Sequence, residues 1–205
     1  MTTSIISVFA RMPRRGHVKT RLAAGIGDVR ALRFHRAATR RTWATVAARP
    51  DARGVLWVDG GLWHPLFASI PPAQRRRQAP GDLGSRMREA LGWGLGRSDR
   101  SLVIGTDCPL LRPSHLAAAS KALATRDVVI GPAEDGGYYL LGLRRPAPAL
   151  FRGVAWGTAE VLAQTLRRAG RAGLTVTLLD PLPDVDRAAD LRALPASDRR
   201  ALALP

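Results

Sequence analysis

Cysteine is nearly absent from the 205 residues: Cys108 stands alone. A single cysteine excludes an internal disulfide and any zinc or iron–sulfur site built from several cysteines. No 18-residue apolar run exists, so no transmembrane helix is expected. Acidic residues are scarce, 16 against 32 basic ones, and the formal net charge is +16. Lysine is scarcer still, confined to Lys19 and Lys121, so almost all of the positive charge is arginine. The opening MTTSIISVFARMPRR places its apolar stretch before its charges, the reverse of a secretory signal, which makes the cytoplasm the expected location.

What is present suits one folded domain over residues 1–205, with 46% hydrophobic residues and enough length to bury a core. Charge is unevenly spread. The first hundred residues carry 19 basic and 6 acidic side chains, the remainder 13 and 10. The N-terminal half therefore suits a polyanion, and the C-terminal half holds most of the carboxylates.

Short β-branched runs alternate with longer Ala/Leu/Arg stretches of helical period. Strands are expected at 4–10, 55–59, 101–106, 127–131, 138–143 and 174–179. Helices are expected near 28–48, 83–95, 114–125 and 158–169, with a C-terminal helical segment over 186–194. The alternation predicts an α/β domain with a mostly parallel sheet and helices on both faces, its ligands beyond the carboxyl ends of the strands. The stretch PPAQRRRQAP at 71–80 and the Pro/Ala-rich tail are the expected disordered pieces.

Directly after the first strand, Ala10 and Arg11 open the run ARMPRRGHVKTRL, which has no acid until Asp28. A loop of this kind suits a polyphosphate: Gly16 admits close backbone approach, Lys19 is a point charge, and Arg21 is a planar fork for phosphate oxygens. Val18 before the lysine excludes a Walker A loop. A solvated basic loop or a nucleic-acid patch is the alternative.

Asp107 lies where the apolar run SLVIGT ends, after Thr106, and Pro109 stops the strand from continuing. A carboxylate there is placed to hold a hard cation against nucleotide phosphates; a turn or cap aspartate is the alternative. Asp184 and Asp186, one residue apart, project to one side of an extended backbone and with Asp107 complete a Mg²⁺ or Mn²⁺ site. Asp186 is equally placed to cap the last helical segment.

Further candidates surround these. Glu134, Asp135, Gly136, Gly137 and Tyr138 combine acids with a glycine pair, suited to orienting a hydroxylated substrate or to a plain hairpin tip. Gly81 and Asp82 begin a helix with Arg86 one turn in, an amide-rich start for a base or phosphate, with capping as the alternative role of Asp82. Trp156 and Thr158 open another helix, Trp156 placed to stack on a ring or to be buried.

In this order, FARMPRRGHVKTRL, GDLGSRM, IGTDCPLL, DVVIGPAEDGGYYLLGL, AWGT and DVD resemble a bacterial family of GT-A-like transferases often labelled glycosyltransferases, including an arsenosugar-biosynthesis branch. The layout is also similar to phospholactate guanylyltransferase and the molybdenum-cofactor guanylyltransferase. In the former a Lys-x-Arg-Leu element matches Lys19 to Leu22, and metal-binding acids correspond to Asp107, Asp184 and Asp186. The opening loop lacks the Gly-Gly-rich sequence of the molybdenum-cofactor enzymes.

The resemblance implies a GT-A fold, a Rossmann-like three-layer α/β/α arrangement with a mostly parallel mixed sheet. It also implies a nucleotide, as NTP or nucleotide-sugar, held by the N-terminal half, and a small-molecule acceptor. Two reactions are open. In nucleotidyl transfer an anionic acceptor attacks the α-phosphate of an NTP, with Arg11, Lys19 and Arg21 neutralising the leaving pyrophosphate. In glycosyl transfer a nucleotide-sugar donor is used, and Asp135 or Glu134 activates an acceptor hydroxyl. A nucleic-acid-binding role is disfavoured because the charge comes with no helix-turn-helix, RNP or zinc-finger signature.

Overall fold

The computed structural model describes residues 4–202. Its first strand, β1 (Ser4–Arg11), is buried along all but its last residue, as the apolar SIISVFA run requires of a strand covered on both faces. After it come α1 (Thr20–Ile26), α2 (Asp28–Ala47), β2 (Ala52–Asp59), β3 (Arg75–Arg77) and α3 (Leu83–Leu95). The second half contains β4 (Arg100–Ile104), α4 (Pro113–Ala122), β5 (Val128–Pro132), β6 (Tyr138–Leu143), α5 (Val161–Arg171), β7 (Val176–Leu178) and α6 (Ala196–Ala201).

The seven strands form one sheet in the order β3-β2-β1-β4-β6-β5-β7. All neighbours are parallel except β6, which runs antiparallel to β4 and β5. The expected α/β architecture with a mostly parallel mixed sheet is therefore the observed one.

Strand alternation divides the core between the two faces. On one face Ile6, Val8, Leu56, Val58, Leu102 and Ile104 pack with Val46 of α2 and Leu116 of α4. On the other, Ile5, Phe9, Val55, Trp57 and Val103 pack with Met87 and Leu91 of α3 and Ala169 of α5. Each fully buried large aliphatic side chain contributes roughly 1.5–3 kcal/mol.

A third cluster positions the site. Leu22 of α1, Phe34 and Ala38 of α2, and Val185, Leu194 and Leu202 of the C-terminal segment are buried together. This fastens the segment around Asp184 and Asp186 beside the helix that follows the basic loop. Asp198 of α6 adds a polar clamp: it is buried, pairs with Arg41 of α2, and accepts from Arg112 Nη2 at 3.1 Å through both oxygens.

Five local expectations are corrected. Residues 71–80 are ordered. A short 3-10 turn (Pro72–Gln74) leads into β3, and the Arg75 guanidinium binds the carbonyls of Ile70 and Ala68. Arg76 lies 4.1 Å over the Trp93 ring, so the arginine run is spent on edge pairing and aromatic packing. The basic run is not all loop, because α1 begins at Thr20 and Arg21 is helical. The next helix after Trp156 begins at Val161, leaving Thr158 in the preceding turn. Asp186 caps nothing: the turn Ala188–Ala193 follows Arg187, and Asp190 accepts the Asp186 and Arg187 amides at 2.8 and 2.6 Å. The expected disordered tail is likewise ordered up to residue 202, with Ala196–Ala201 forming α6 and Leu202 buried, and its last three residues lie outside the described residues.

Candidate active site

The chain leaves β1 through α2 to β2 on one side and later returns to β4 on the other, so the strand order reverses between β1 and β4. At such a point the two outgoing loops diverge and leave a crevice. The loop after β1 ends at Lys19 and the loop after β4 carries Asp107.

Lys19 closes the gap between them. Its Nζ is 2.7 Å from Asp107 Oδ1 and donates to the Val185 carbonyl at 2.5 Å. Its side chain is 7% exposed, whereas that of Asp107 is 58% exposed. The Val185 amide donates to the Asp107 carbonyl at 3.0 Å, so the basic loop, the Asp107 loop and the C-terminal Asp-Val-Asp meet at one ammonium group. Lys19 is the one non-glycine among the described residues at positive φ, 50°. A left-handed non-glycine costs about 1–3 kcal/mol and persists only where its surroundings hold it, here through the two contacts of the ammonium group.

Around this junction opens a cleft of about 780 Å³. One wall is basic: Arg11, Lys19, Arg21 and Arg86. Beside it stands an acidic wall, Asp107, Asp135, Asp184 and Asp186, while Asp59 sits among the arginines of the basic one. The two are stitched at Lys19–Asp107 and at Arg21 Nη1–Asp186 Oδ2, 2.9 Å apart. Burial first, then the charge of Asp135, pushes the Asp184 carboxyl up to about 6.

The acidic wall is an all-oxygen donor set in which Asp135 repels Asp184, which suits a hard cation such as Mg²⁺ or Mn²⁺. Asp107 and Asp184 fit this role in kind. Asp186 shares the wall while paired to Arg21. Among the described residues no three His, Cys, Asp or Glu side chains already stand in metal-holding geometry.

Other candidates are placed as follows. Ala10, Thr106, Gly81, Gly137, Tyr138, Trp156 and Thr158 line the cleft. Gly16 sits in the basic turn at φ 75° with nothing near its Cβ position, and does not line it. Asp82 caps α3, accepting from the Ser85 amide at 2.7 Å. Gly136, at φ 86°, is pressed against the Ala159 carbonyl, and Glu134 faces a neighbouring cavity instead. Asp135 Oδ1 accepts the Gly137 amide at 2.8 Å, shaping the tip of the β5–β6 hairpin. Trp156 packs so closely on Gly84 of α3 that any Cβ there would collide with its ring; the indole is a fixed wall.

Sequence reasoning missed Asp59, Gln78 and His35. Asp59, at the end of β2, is 3.1 Å from Arg86 Nη1 and 3.9 Å from Arg11 Nε. The strand-end rule that singled out Asp107 would have found it. Gln78 donates to the carbonyls of Trp57 at 3.0 Å and Ala10 at 3.3 Å from within the stretch expected to be disordered. His35 is buried on α2, its Nε2 3.0 Å from the Arg11 carbonyl, and nothing in the pattern announced it. Cys108 is buried, its thiol pushed up by burial, as expected of an inert cysteine.

Residues 42–158, more than half of the chain, match the family described as an uncharacterized protein conserved in bacteria (DUF2064). The chain belongs to that family. Among solved structures it is similar to a Desulfovibrio desulfuricans G20 protein described as a candidate nucleotide-diphospho-sugar transferase. The two share 31% identity over 99% of this chain and 94% of the other, with a TM-score of 0.89. The inositol-1-phosphate CTP transferase from T. maritima shares the fold at 13% identity, covering 99% of this chain and 96% of that one, TM-score 0.60. So does Rv0371C from Mycobacterium tuberculosis H37Rv, solved in complex with manganese, at 18% identity, covering 94% and 98%, TM-score 0.56. Among curated proteins, none matches this chain in sequence.

The fold is thus that of the nucleotide-diphospho-sugar transferases, as the sequence resemblance implied. No helix among the described residues is long and apolar enough to cross a membrane.

Proposed function

We propose that this protein is a metal-dependent nucleotidyltransferase, moving a nucleoside monophosphate from an NTP to a small anionic acceptor with release of pyrophosphate. The observation that carries the reading is the Lys19–Asp107 pair at the strand-order reversal, a nearly buried ammonium flanked by Arg11, Arg21 and Arg86 in a cleft facing carboxylates. Fixed cations stabilise a charge that develops on a leaving group without reorganising, and they act most strongly where water is excluded.

Lys19 holds its ammonium at the head of α1, where it neutralises phosphate oxygens; Arg21, the second residue of the same helix, and Arg11, at the end of β1, face the leaving pyrophosphate. Ala10, Gly81 and Thr106 border the nucleotide, and Trp156, Tyr138 and Thr158 line the same cleft. Asp107, Asp184 and Asp186 would hold Mg²⁺ or Mn²⁺. When bound, such an ion polarises a phosphoryl oxygen and offsets the charge of phosphates. An acceptor that arrives as an oxyanion needs no general base. No nucleic acid is required as a specific partner.

A second reading keeps the cleft and changes the bond broken: transfer of a sugar from a nucleotide-sugar to a small acceptor. It is favoured by the description of the Desulfovibrio relative. Asp135, on the acidic wall, is then the group that takes the acceptor proton. Product analysis separates the two. Pyrophosphate released from an NTP in the presence of metal and an anionic acceptor supports nucleotidyl transfer; a nucleoside diphosphate without pyrophosphate, from a nucleotide-sugar, supports glycosyl transfer. Neither product from any donor overturns both.

A further inference from the structure

Beside the cleft lies a second cavity of about 530 Å³, between the β5–β6 hairpin tip and the segment 183–193. The two share Arg21, Asp135, Asp184 and Asp186, so the smaller opens onto the acidic wall where the reaction would take place. The lining it does not share with the cleft includes Glu134 on the hairpin and Arg187, Asp190 and Arg192 on the C-terminal segment.

The charges of this cavity are not all free. Asp186 is spent on Arg21 at 2.9 Å. Asp190 accepts the amides of Asp186 and Arg187 at 2.8 and 2.6 Å, which fixes the backbone on which Arg187 stands. Asp135 accepts the Gly137 amide. The guanidiniums of Arg187 and Arg192 have no carboxylate or carbonyl partner among the described residues, although both side chains line a cavity with acids nearby. The remaining acids, Glu134, Asp135 and Asp184, lie toward the hairpin and the shared wall. The lining shared with the cleft is therefore mostly acidic, and the two guanidiniums without partners lie in the lining that is not shared.

We infer that this second cavity is an acceptor pocket in which Arg187 and Arg192 hold a phosphate or carboxylate group remote from the reacting atom, with Glu134 receiving a hydroxyl between them. The inference rests on the transferase reading for the word acceptor. It narrows the acceptor class to small hydroxylated molecules with an oxyanion at the end away from the bond formed. Two guanidiniums lining one cavity suit such a group because each offers a planar fork of donors to oxygens.

The test titrates inorganic phosphate, and separately succinate, into the ¹⁵N-labelled protein at constant ionic strength, with chloride as the control, and follows backbone amides. The same titrations are repeated with GDP or UDP present to separate a free oxyanion from a nucleotide's own phosphates. Expected are saturating shifts over residues 186–193 with at least one probe, persisting with the nucleotide present. The R187Q/R192Q double variant should weaken them about 10-fold or more, its other amides unchanged as evidence of folding. Shifts confined to residues 11–21, displacement of the probe from 186–193 by the nucleotide, insensitivity to R187Q/R192Q, or no saturable shift at all would each overturn the inference. Failure of the transferase reading looks different: the proposed donors release no product while the probes still shift residues 186–193.

Discussion

Lys19 Nζ and Asp107 Oδ1 lie 2.7 Å apart across the point where the strand order reverses. This contact joins the basic and acidic walls, and it gives Lys19 a structural role beside the proposed functional one. Half of the pair is in water, so losing it should cost less than the 3–5 kcal/mol of a fully buried broken pair. K19A should lower stability by about 1–2 kcal/mol and turnover by at least about 100-fold, a larger effect than the stability loss explains. Because φ at this residue is 50°, K19G should be no less stable than K19A while being equally inactive. Urea melts beside turnover measurements check both; a K19A protein that keeps most of its activity would remove Lys19 from the mechanism.

Arg21 and Asp186 form a pair whose side chains are 64% and 36% exposed. Exposed pairs contribute about 0–1 kcal/mol, so D186N should leave the melting temperature nearly unchanged. If Asp186 helps to hold a cation, the same variant should weaken the metal dependence of nucleotide binding several-fold. Calorimetric titration of nucleotide with and without Mn²⁺ reads this directly. Wild-type metal dependence in D186N would assign the residue to orienting Arg21 alone.

Gly84 is the contact through which α3 fixes Trp156. A methyl group there must displace the indole or the helix, a strain of roughly 1–3 kcal/mol. G84A should therefore destabilise the protein by that order and shift the tryptophan fluorescence. It should weaken nucleotide binding more than a substitution such as E89A, farther along α3. Unaltered fluorescence and affinity would mean that the wall around Trp156 yields easily.

His35 is held below its ordinary pKa of 6.5, chiefly by burial, with the positive charges of Lys19 and Arg11 acting the same way. The unfolded chain takes up a proton near pH 6.5 that the native imidazole resists. Stability is thus full above that pH and falls as pH drops below it, by at most about 1.4 kcal/mol per pH unit for this residue. H35Q has no such proton to take up and should lose less stability between pH 7 and 5. Denaturant melts across that range should show the shallower slope; identical slopes would contradict the assignment.

The sheet was legible because buried strands announce themselves as apolar runs bounded by turn residues. Tyr138–Leu143 and Leu83–Leu95 have the expected limits. The strand β3 was not legible, since Arg75–Arg77 reads as a solvated charge run until Trp57 and Trp93 are beside Arg76. At the site, Asp107 and Lys19 stood out locally, one at a strand end and one in a basic loop. Their mutual contact did not, because it depends on the third hydrophobic cluster bringing α1 against the C-terminal segment. Arg187 and Arg192 were invisible for the same reason: among so many arginines, only a cavity distinguishes two without partners.

On the proposed reading, the cleft binds a nucleotide through Lys19 together with a divalent cation. The most direct measurement is thermal stabilisation by the four NTPs and by UDP-, GDP- and dTDP-sugars, each with and without Mg²⁺ or Mn²⁺ at fixed ionic strength, in wild type and K19A. A metal-dependent shift with at least one NTP, strongly reduced in K19A, is expected. A shift confined to one nucleotide-sugar would move the reaction to glycosyl transfer, and no metal-dependent shift with any nucleotide, or one that K19A retains in full, would contradict the account.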